Sequence, residues 1–215
     1  MTDVIVIDKL TKSFKGKTVL EDVNMRLQEG RIYGIVGDNG SGKTVLLKLI
    51  CGFMKPDSGT VTVNGKVIGK DADFPENTGI IIEAPGFLPN YSGMKNLEYL
   101  ASIRGKIGKE QIESAMKTVG LGPSSKLRVG KYSLGMKQRL GIAQAIMEDQ
   151  QLLILDEPMN ALDKDAVEEM RKLFLSFKAS GKTMLIVSHN EGDISTLCDE
   201  VYEFDDARIK RRENI

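Results

Sequence analysis

The sequence has no net charge, few cysteines and no long hydrophobic run. Its 30 Lys and Arg residues balance 30 Asp and Glu residues among 215, whereas a general nucleic-acid-binding protein carries a basic excess. No nucleic acid is therefore expected as a partner. The two cysteines, Cys51 and Cys198, are too few for a disulfide framework and lack the spacing of a metal site. We predict that Cys51 is a small core residue of an apolar helix, and this cysteine content fits a reducing cytoplasm.

The missing hydrophobic runs exclude two further classes. No stretch approaches the roughly 18 apolar residues that a membrane-spanning helix needs, and residues 1–8 lack the basic segment and apolar run of a signal peptide. We therefore expect a chain that is soluble by itself and reaches a membrane only through a partner. The remaining composition, 41% hydrophobic and 28% charged residues, is that of a globular protein with a substantial core.

The most informative stretch is residues 37–44, GDNGSGKT, which match the phosphate-loop pattern Gly-x-x-x-x-Gly-Lys-[Ser/Thr]. Gly37, Gly40 and Gly42 lack the Cβ atom that would block a backbone wrapped around phosphate oxygens. The N–H groups of such a loop point inward as a nest for anions, and the next helix adds the positive end of its dipole. The loop therefore predicts a site for a nucleoside triphosphate.

The last two residues of this motif carry its charge and its metal chemistry. Lys43 supplies a positive charge for the outer phosphates, and Thr44 supplies a hydroxyl for Mg²⁺. A buried strand is predicted over residues 31–36 and a helix over residues 44–51. This strand–loop–helix context favours a phosphate loop over the alternative, an ordinary glycine-rich turn.

Hydrophobic periodicity predicts an α/β protein. The N-terminal part shows alternating strands over residues 4–7 and 19–27, and a strand over residues 59–63 followed by an Asn-Gly hairpin turn. Residues from about 85 to 130 have helical periodicity and are predicted to form a lobe inserted between strands. From residue 152 onward strands and helices alternate, as in a βαβ core.

The C-terminal part shows this alternation most clearly. Strands are predicted over residues 152–155 and 184–187. The helix between them places five apolar residues on one stripe, namely Val167, Met170, Leu173, Phe174 and Phe177.

The strand over residues 152–155 ends in two carboxylates, Asp156 and Glu157, and Pro158 then stops it. Asp156 fits the second Mg²⁺ ligand of a phosphate-loop ATPase. Glu157 is placed to accept a proton from an attacking water. Most acids at strand ends are only solvated, so both assignments depend on the phosphate loop.

Two more residues gain meaning from their positions. His189, the only histidine, follows an apolar strand, and parallel strands bring their C-terminal ends to one crevice. We therefore expect His189 near Asp156, against the alternative of a surface or core histidine with a satisfied hydrogen bond. Ser133 is predicted to cap a helix over residues 137–148, and the same helix start is suited to binding phosphate.

Taken together, these motifs resemble the nucleotide-binding subunit of an ABC transporter along nearly the whole chain. Residues 37–44 match Walker A, residues 152–156 match Walker B, residues 132–136 correspond to the signature, and residues 160–163 look like the D-loop. In the same comparison His189 corresponds to the switch histidine.

The chain departs from the family pattern in the signature and in the Q-loop. Leu134 and Met136 replace a glycine and a glutamine of the signature, and Glu83 replaces the glutamine of the Q-loop. The carboxylate of Glu83 adds a charge near the metal. These variants look most like export-type subunits associated with bacitracin, lantibiotic immunity and drug efflux.

The resemblance implies a P-loop NTPase core with a mainly parallel sheet, an N-terminal antiparallel β subdomain and an inserted α-helical subdomain. One domain over residues 1–215, with its helical lobe at approximately 85–148, is expected. The implied cofactors are ATP and Mg²⁺, and the implied activity is ATP hydrolysis coupled to transport.

The resemblance also implies the roles of individual residues. Catalysis is assigned to Lys43, Glu157 and His189, and the metal to Thr44, Glu83 and Asp156. Phe14 lies where the family stacks an aromatic ring on adenine, with a core position as the alternative. The implied nucleotide contacts are Phe14, Val19, Gly37, Asp38, Asn39, Gly40, Ser41, Gly42, Lys43, Thr44, Val45, Ser133 and Gly135.

The implied partners follow from the signature. Two copies of this chain, or this chain and a related ATPase subunit, are expected to close head to tail on two ATP molecules. The phosphate loop of one subunit then meets Ser133 and Gly135 of the other. A membrane-spanning permease subunit is expected to contact the loop after Glu83, with the chain peripheral on the cytoplasmic face of the membrane.

Three alternatives are weighed against this interpretation. A soluble ABC-type ATPase acting on DNA or ribosomes usually has a very long coiled-coil insertion or two cassettes per chain, and this sequence has neither. A non-enzymatic nucleotide-binding regulator is expected to lack the catalytic acid, yet Glu157 is present. A kinase or GTPase shares the phosphate loop but requires no element like residues 133–135 before Walker B. The transporter subunit is favoured, and the soluble ATPase comes second.

Overall fold

The computed structural model describes residues 2–84 and 86–212. The predicted start of the helical lobe, at about residue 85, and the last three residues of the predicted domain lie outside these ranges. In chain order the elements are β1 (Asp3–Phe14), β2 (Lys17–Gln28), β3 (Ile32–Val36), α1 (Lys43–Ile50), β4 (Ser58–Val63), β5 (Lys66–Val67), β6 (Thr78–Ile81), α2 (Gly93–Arg104), α3 (Lys109–Thr118), α4 (Leu134–Ile146), β7 (Leu152–Asp156), α5 (Lys164–Ala179), β8 (Thr183–Val187), α6 (Glu191–Leu197), β9 (Glu200–Asp205) and β10 (Arg208–Arg211).

The N-terminal strands form an antiparallel sheet in the order β2-β1-β4-β5. The turn between β1 and β2 has positive φ angles at Lys15 and Gly16, and the turn between β4 and β5 has them at Asn64 and Gly65. Such pairs give type I′ turns, whose twist matches that of a two-residue hairpin. The predicted strands and the Asn-Gly hairpin are thus confirmed, although β1 extends well beyond the predicted residues 4–7.

The second sheet has the order β10-β9-β3-β8-β7-β6, and only β10 pairs antiparallel with its neighbour. The strands β3 and β8 are buried along their whole length. Strands buried on both faces read as continuous apolar runs, and this is why the strands predicted over residues 31–36, 152–155 and 184–187 are confirmed within about one residue.

The two faces of the parallel sheet pack into different cores. Along β7, Leu152 and Ile154 face a core that contains α1 and the antiparallel sheet. Leu153 and Leu155 face the other core, which contains the helices α2, α3, α4 and α5. The chain therefore folds in layers, with α1 packed between the two sheets.

The helices α2, α3 and α4 come between β6 and β7, as expected for a helical insertion. The helix α4 packs closely on β6, because a Cβ atom at Gly79 would lie 1.9 Å from the carbonyl oxygen of Ala145. The helix predicted over residues 137–148 begins three residues earlier, since Ser133 already caps it: Ser133 Oγ accepts the Met136 N–H at 3.1 Å.

The apolar stripe of α5 is also confirmed, with Met170 and Phe174 buried and its other members packed at the edge of the core. Cys51 is buried at the end of α1, as predicted. Four elements were not predicted from the sequence: β6, α6, β9 and β10. Within the described ranges, none of the helices has both the length and the apolar character to cross a membrane.

Candidate functional site

A cavity of about 550 Å³ opens at the C-terminal edge of the parallel sheet. Eleven of the predicted site residues line it: Phe14, Val19, Asn39, Gly40, Gly42, Lys43, Thr44, Val45, Glu83, Asp156 and Glu157. The cavity walls do not include Gly37, Asp38, Ser41, Ser133, Gly135 or His189. The structure thus brings the phosphate loop, the ends of β6 and β7 and the β1–β2 hairpin around one space.

The conformation of the phosphate loop depends on glycine at three positions. Gly37, Gly40 and Gly42 have φ angles of 143°, 81° and 114°, which side chains with a Cβ atom rarely adopt. A Cβ atom at Gly42 would also lie 3.0 Å from the carbonyl oxygen and Cγ1 of Val19. A Cβ atom at Gly40 would meet no protein atom within 4 Å, so this part of the loop faces open space.

The loop leads into a helix that starts without a cap. Gly42 offers no side chain to the first turn of α1, and that turn contains no acidic residue. The buried Lys43 spans the loop, its Nζ donating to the carbonyl oxygens of Gly37 and Asp38 at 2.7 and 2.8 Å. The buried Ser41 Oγ has no hydrogen-bond partner among the described residues. These features fit a phosphate group, which accepts hydrogen bonds and carries negative charge.

Thr44 and Asp156 form a hydroxyl–carboxylate pair beside the loop. Thr44 Oγ1 donates to Asp156 Oδ2 at 3.0 Å. Burial raises the pKa of the Asp156 carboxyl, although the Thr44 hydroxyl, the Glu83 N–H and the charge of Lys43 oppose this shift. The described residues hold no cluster of three His, Cys, Asp or Glu side chains suited to a metal. The donors fit Mg²⁺, which is usually bound by one or two carboxylates together with substrate phosphates and water.

Glu83, a predicted metal ligand, has another partner in the structure. Its Oε1 lies 2.7 Å from Nζ of Lys48 in α1. The Glu83 side chain is 63% exposed, so the pair is accessible to water. The carboxylate that replaces the usual glutamine amide is therefore matched by a lysine within the same chain.

Glu157 and His189 meet at the ends of β7 and β8, so the contact of His189 is with the residue after Asp156, the predicted neighbour. His189 Nδ1 lies 2.8 Å from Glu157 Oε1. The backbone of Glu157 has a φ of 48° and is fixed by its N–H, which donates to the carbonyl oxygen of Val187 at 2.9 Å. The His189 side chain is 64% exposed. A core position is therefore excluded, whereas the other alternative, a surface histidine with a satisfied hydrogen bond, is consistent with this contact.

Phe14 is a wall of the cavity and not a core residue, because it is 41% exposed. Nζ of Lys12 lies 5.4 Å from the centroid of the Phe14 ring. The same Lys12 pairs with Asp57 at 2.6 Å, and Asp57 also accepts the N–H of Ser13 at 2.7 Å. The end of the β1–β2 hairpin is thus anchored around an exposed aromatic ring.

Comparisons with known proteins identify the family of this chain. A protein-family model described as "ABC transporter" matches residues 20–160. An uncharacterized ABC transporter ATP-binding protein of Bacillus subtilis (strain 168), YybJ, is 40% identical over 212 residues, which are 99% of this chain and 97% of that protein. The chain belongs to the ABC transporter family. It is an ATP-binding domain of that family, and such domains are ATPases.

Other relatives of this ABC ATP-binding domain have transport names. The bacitracin transport ATP-binding protein BcrA of Enterococcus faecalis is 39% identical, over 100% of this chain and 70% of that protein. The lantibiotic transport ATP-binding protein SrtF of Streptococcus pyogenes is 36% identical, over 91% of this chain and 84% of that protein. A solved structure described as the ATP-binding subunit of an ABC transporter superposes with a TM-score of 0.86 at 24% identity, covering 96% of this chain and 88% of that one. It supports the ABC ATPase fold.

Ser133 and Gly135, the signature residues predicted to contact phosphate, are not part of the cavity wall in their own chain. Ser133 is exposed and caps α4, and Gly135 packs against the D-loop, where a Cβ atom would lie 2.9 Å from the carbonyl oxygen of Ala161. Leu134, one of the departures from the usual signature, does reach the cavity wall.

Several cavity residues were missed by the sequence reasoning. Gln138 lines the cavity and its Nε2 donates to the carbonyl oxygen of Glu157 at 3.1 Å. Asn160 and Ala161 of the D-loop line it too. Gln138 lies four residues after Leu134, and this helical spacing places both on one face. That spacing could have indicated Gln138 as a site residue, whereas nothing in the sequence indicated the pairing of Lys48 with Glu83.

Proposed function

We propose that this chain is the ATP-hydrolysing subunit of an export-type ABC transporter for antibiotic peptides or related compounds. The assignment to export is supported by relatives named for bacitracin and lantibiotic transport. The observation that carries the ATPase mechanism is the convergence of the phosphate loop, the Thr44–Asp156 pair and the Glu157–His189 pair at one sheet edge. The soluble ABC-type ATPase has no comparable support, since the named relatives are transport proteins.

The nucleotide phosphates bind at the N-terminus of α1. The loop N–H groups and the dipole of α1 attract the negative charge, and Lys43 transfers its hydrogen bonds from the loop carbonyls to the outer phosphates. Phe14 and Val19 contact the base. Asn39, Asp38, Ser41 and Val45 complete the binding loop.

Thr44 and Asp156 would hold Mg²⁺, with Glu83 as a third proposed ligand, and the ion would neutralise charge on the phosphate oxygens. Asp156 is suited to this role because its carboxylate is half buried and already accepts the Thr44 hydroxyl. One oxygen of Glu83 is paired with Lys48.

Glu157 accepts the proton of the attacking water. Its position just beyond β7, with the backbone fixed by β8 and by Gln138, orients the carboxylate at the cavity wall. His189 holds that carboxylate through Nδ1 and contacts the γ-phosphate. Hydrogen-bonded bases of this kind contribute about 10²- to 10⁴-fold to a rate.

Two subunits complete each other's sites. Ser133 and Gly135 lie outside the cavity of their own chain, so we assign them to the nucleotide held by a second copy or by a related ATPase subunit. A two-fold arrangement supplies both halves from one sequence. The whole chain, residues 1–215, acts as one ABC ATPase domain whose helical lobe covers approximately residues 85–148.

The membrane component is a separate permease subunit. The chain lies against the cytoplasmic face of the membrane through this partner, and the segment after Glu83 transmits the motion of the helical lobe. The first test measures ATP turnover of Glu157→Gln with the permease present. We expect turnover to fall at least about a hundredfold, whereas Asp165→Asn, a matched loss of an exposed carboxylate in α5, retains it. Near-wild-type turnover of Glu157→Gln would rule out the assigned base.

The second test measures the mass of the complex by light scattering. The hydrolysis-deficient Glu157→Gln chain, saturated with Mg·ATP, is expected to form a dimer, and Ser133→Arg in the same background is expected to remain monomeric. Ser176→Arg changes an exposed serine of α5 in the same way and should leave the dimer intact. If no dimer forms, alone or with the permease, the two-subunit site is wrong.

A further inference from the structure

His189 lies in a short loop whose neighbouring residues are tied to one buried carboxylate. Ser188 is buried, and Asp193 is only 4% exposed. Ser188 Oγ donates to Asp193 Oδ2 at 3.3 Å and accepts the N–H of Asn190 at 3.1 Å. Asn190 Oδ1 accepts the N–H of Asp193 at 3.3 Å. The residues on both sides of His189 are therefore anchored to Asp193 in the first turn of α6.

Arg171 holds this carboxylate from a separate helix, α5. Its Nε and Nη2 lie 3.0 and 2.6 Å from Asp193 Oδ1, and its Nη1 donates to Glu168 Oε1 at 2.5 Å. A carboxylate as buried as that of Asp193 needs a partner, because water no longer solvates its charge. The position of Asp193 therefore depends on Arg171.

We propose that the Arg171–Asp193 ion pair positions His189 against Glu157. Arg171 does not line the nucleotide cavity, so it is a positioning residue that acts through Asp193 and Ser188. The contact it controls is the 2.8 Å distance between His189 Nδ1 and Glu157 Oε1. For its effect on hydrolysis, this inference rests on the proposed function of His189 and Glu157.

The location of Arg171 connects two parts of the site. The helix α5 begins at Lys164, directly after the D-loop, and Asn160 and Ala161 of that loop line the nucleotide cavity. A displacement of the D-loop that α5 follows as a rigid helix reaches Arg171, which lies near the middle of α5. Through Asp193 this displacement reaches the loop that holds His189. An ion pair that only fastened α5 to α6 would leave the His189 ring unaffected.

The ring of His189 can be observed directly, because it is the only histidine of the chain. A protein labelled with ¹³C,¹⁵N-histidine and free of any histidine tag gives one set of ring resonances. Glu157→Gln is expected to shift them, because it changes the group 2.8 Å from Nδ1. In Arg171→Met we expect displaced or broadened ring resonances and no response to Glu157→Gln.

A control on the same helix separates positioning from general loosening. Lys178→Met removes another ion pair of α5, with Asp199, and should retain the wild-type ring resonances and their response to Glu157→Gln. Because Arg171→Met leaves Asp193 without a charged partner, a second variant combines it with Asp193→Asn, which removes both charges so that no unpaired charge stays buried. We expect the combined variant to lose the response as well. Wild-type resonances and a wild-type response in either folded variant would overturn the proposal.

Turnover with the permease present gives the second readout. The combined variant is expected to lower kcat about ten- to a hundredfold, with KM for ATP changed less than about twofold, since misplacing a catalytic group affects the reaction step. Arg171→Lys keeps the charge and should recover part of kcat. An unchanged kcat in the combined variant contradicts the catalytic part of the inference. If Glu157→Gln itself turns over at the wild-type rate, the proposed function fails, but the resonances still decide what positions His189.

Discussion

Replacing Lys48 with methionine is predicted to strengthen Mg²⁺-dependent binding of ATP, although it removes a positive charge near the nucleotide. In the structure Lys48 holds the Glu83 carboxylate at 2.7 Å. In the proposed site, we expect Glu83 to exchange Lys48 for the metal rather than contact both with its two oxygens. Lys48 and Mg²⁺ therefore compete for one carboxylate.

The size of the effect follows from the exposure of the pair. Glu83 is 63% exposed, and an ion pair at such a site is worth about 0.2–1 kcal/mol. Glu83 is then free of Lys48 for about 15–40% of the time, and the apparent affinity for the metal is reduced by that fraction. Lys48→Met removes this competition and should lower the Mg²⁺ concentration at half-saturation about two- to sixfold.

The assay titrates Mg²⁺ at a fixed concentration of a fluorescent ATP analogue, in the Glu157→Gln background that blocks turnover. In a chain that also carries Glu83→Gln, Lys48→Met should no longer increase the affinity, because the competing carboxylate is gone. Lys95→Met removes a lysine from another exposed pair, with Glu98 on α2, and controls for the change in net charge. The reasoning is refuted if Lys48→Met changes the Mg²⁺ concentration at half-saturation equally in chains with Glu83 and with Glu83→Gln. It is also refuted if Lys48→Met raises that concentration.

Two further predictions concern packing and the base site. Gly79→Ala should destabilise the fold by about 3 kcal/mol in urea unfolding, because its Cβ atom would lie 1.9 Å from the Ala145 carbonyl oxygen and overpacking costs about 1–3 kcal/mol or more. Gly122→Ala, whose Cβ atom meets nothing within 4 Å, is the control. Equal urea midpoints for the two variants would contradict the close packing at Gly79. Phe14→Ala should weaken ATP binding at least about fivefold, because stacking on a base is worth about 1–3 kcal/mol. Phe14→Tyr and Phe53→Ala, an exposed aromatic away from this cavity, should bind normally, and a wild-type Kd for Phe14→Ala would remove the ring from the base site.

The sequence predicts the buried parallel strands well because burial on both faces permits only a continuous run of apolar residues. The residues of β3, β7 and β8 are covered on both faces and are therefore apolar throughout. The strand β6 was missed because it is only four residues long and contains Gly79, which reads as a turn residue. The place of β6 in the sheet depends on its packing against α4. Most of the helical insertion lies between these two elements in the sequence, so no local pattern indicates their contact.

The site divides in the same way. The phosphate loop and the ends of β7 and β8 are predictable because each function needs particular residue types at fixed spacings, and the topology of a parallel sheet brings them together. Ion pairs between residues that are far apart in the sequence are not predictable in this way. Lys48 and Glu83 are 35 residues apart, and neither belongs to a local pattern that would indicate the other. The three-dimensional contact alone shows that the charge of Glu83 has a partner.

Two contacts connect the start of α4 to the catalytic side of the same chain. Gln138 donates to the carbonyl oxygen of Glu157, and Gly135 packs so closely on the D-loop that a Cβ atom would lie 2.9 Å from the Ala161 oxygen. Glycine is thus required at this signature position for packing within one chain, independently of any phosphate contact.

The consequence for a dimer is specific. Because Glu157 and Ala161 line the cavity of their own chain, we expect a change in the nucleotide there to displace the start of α4 through both contacts. In the proposed two-fold arrangement the start of α4 presents Ser133 to the nucleotide of the second subunit. Each site then senses the other through the rigid start of one helix, so that loss of the γ-phosphate in one subunit weakens the grip on ATP in both. The two sites are therefore expected to act together even though, within one chain, neither Ser133 nor Gly135 touches the cavity.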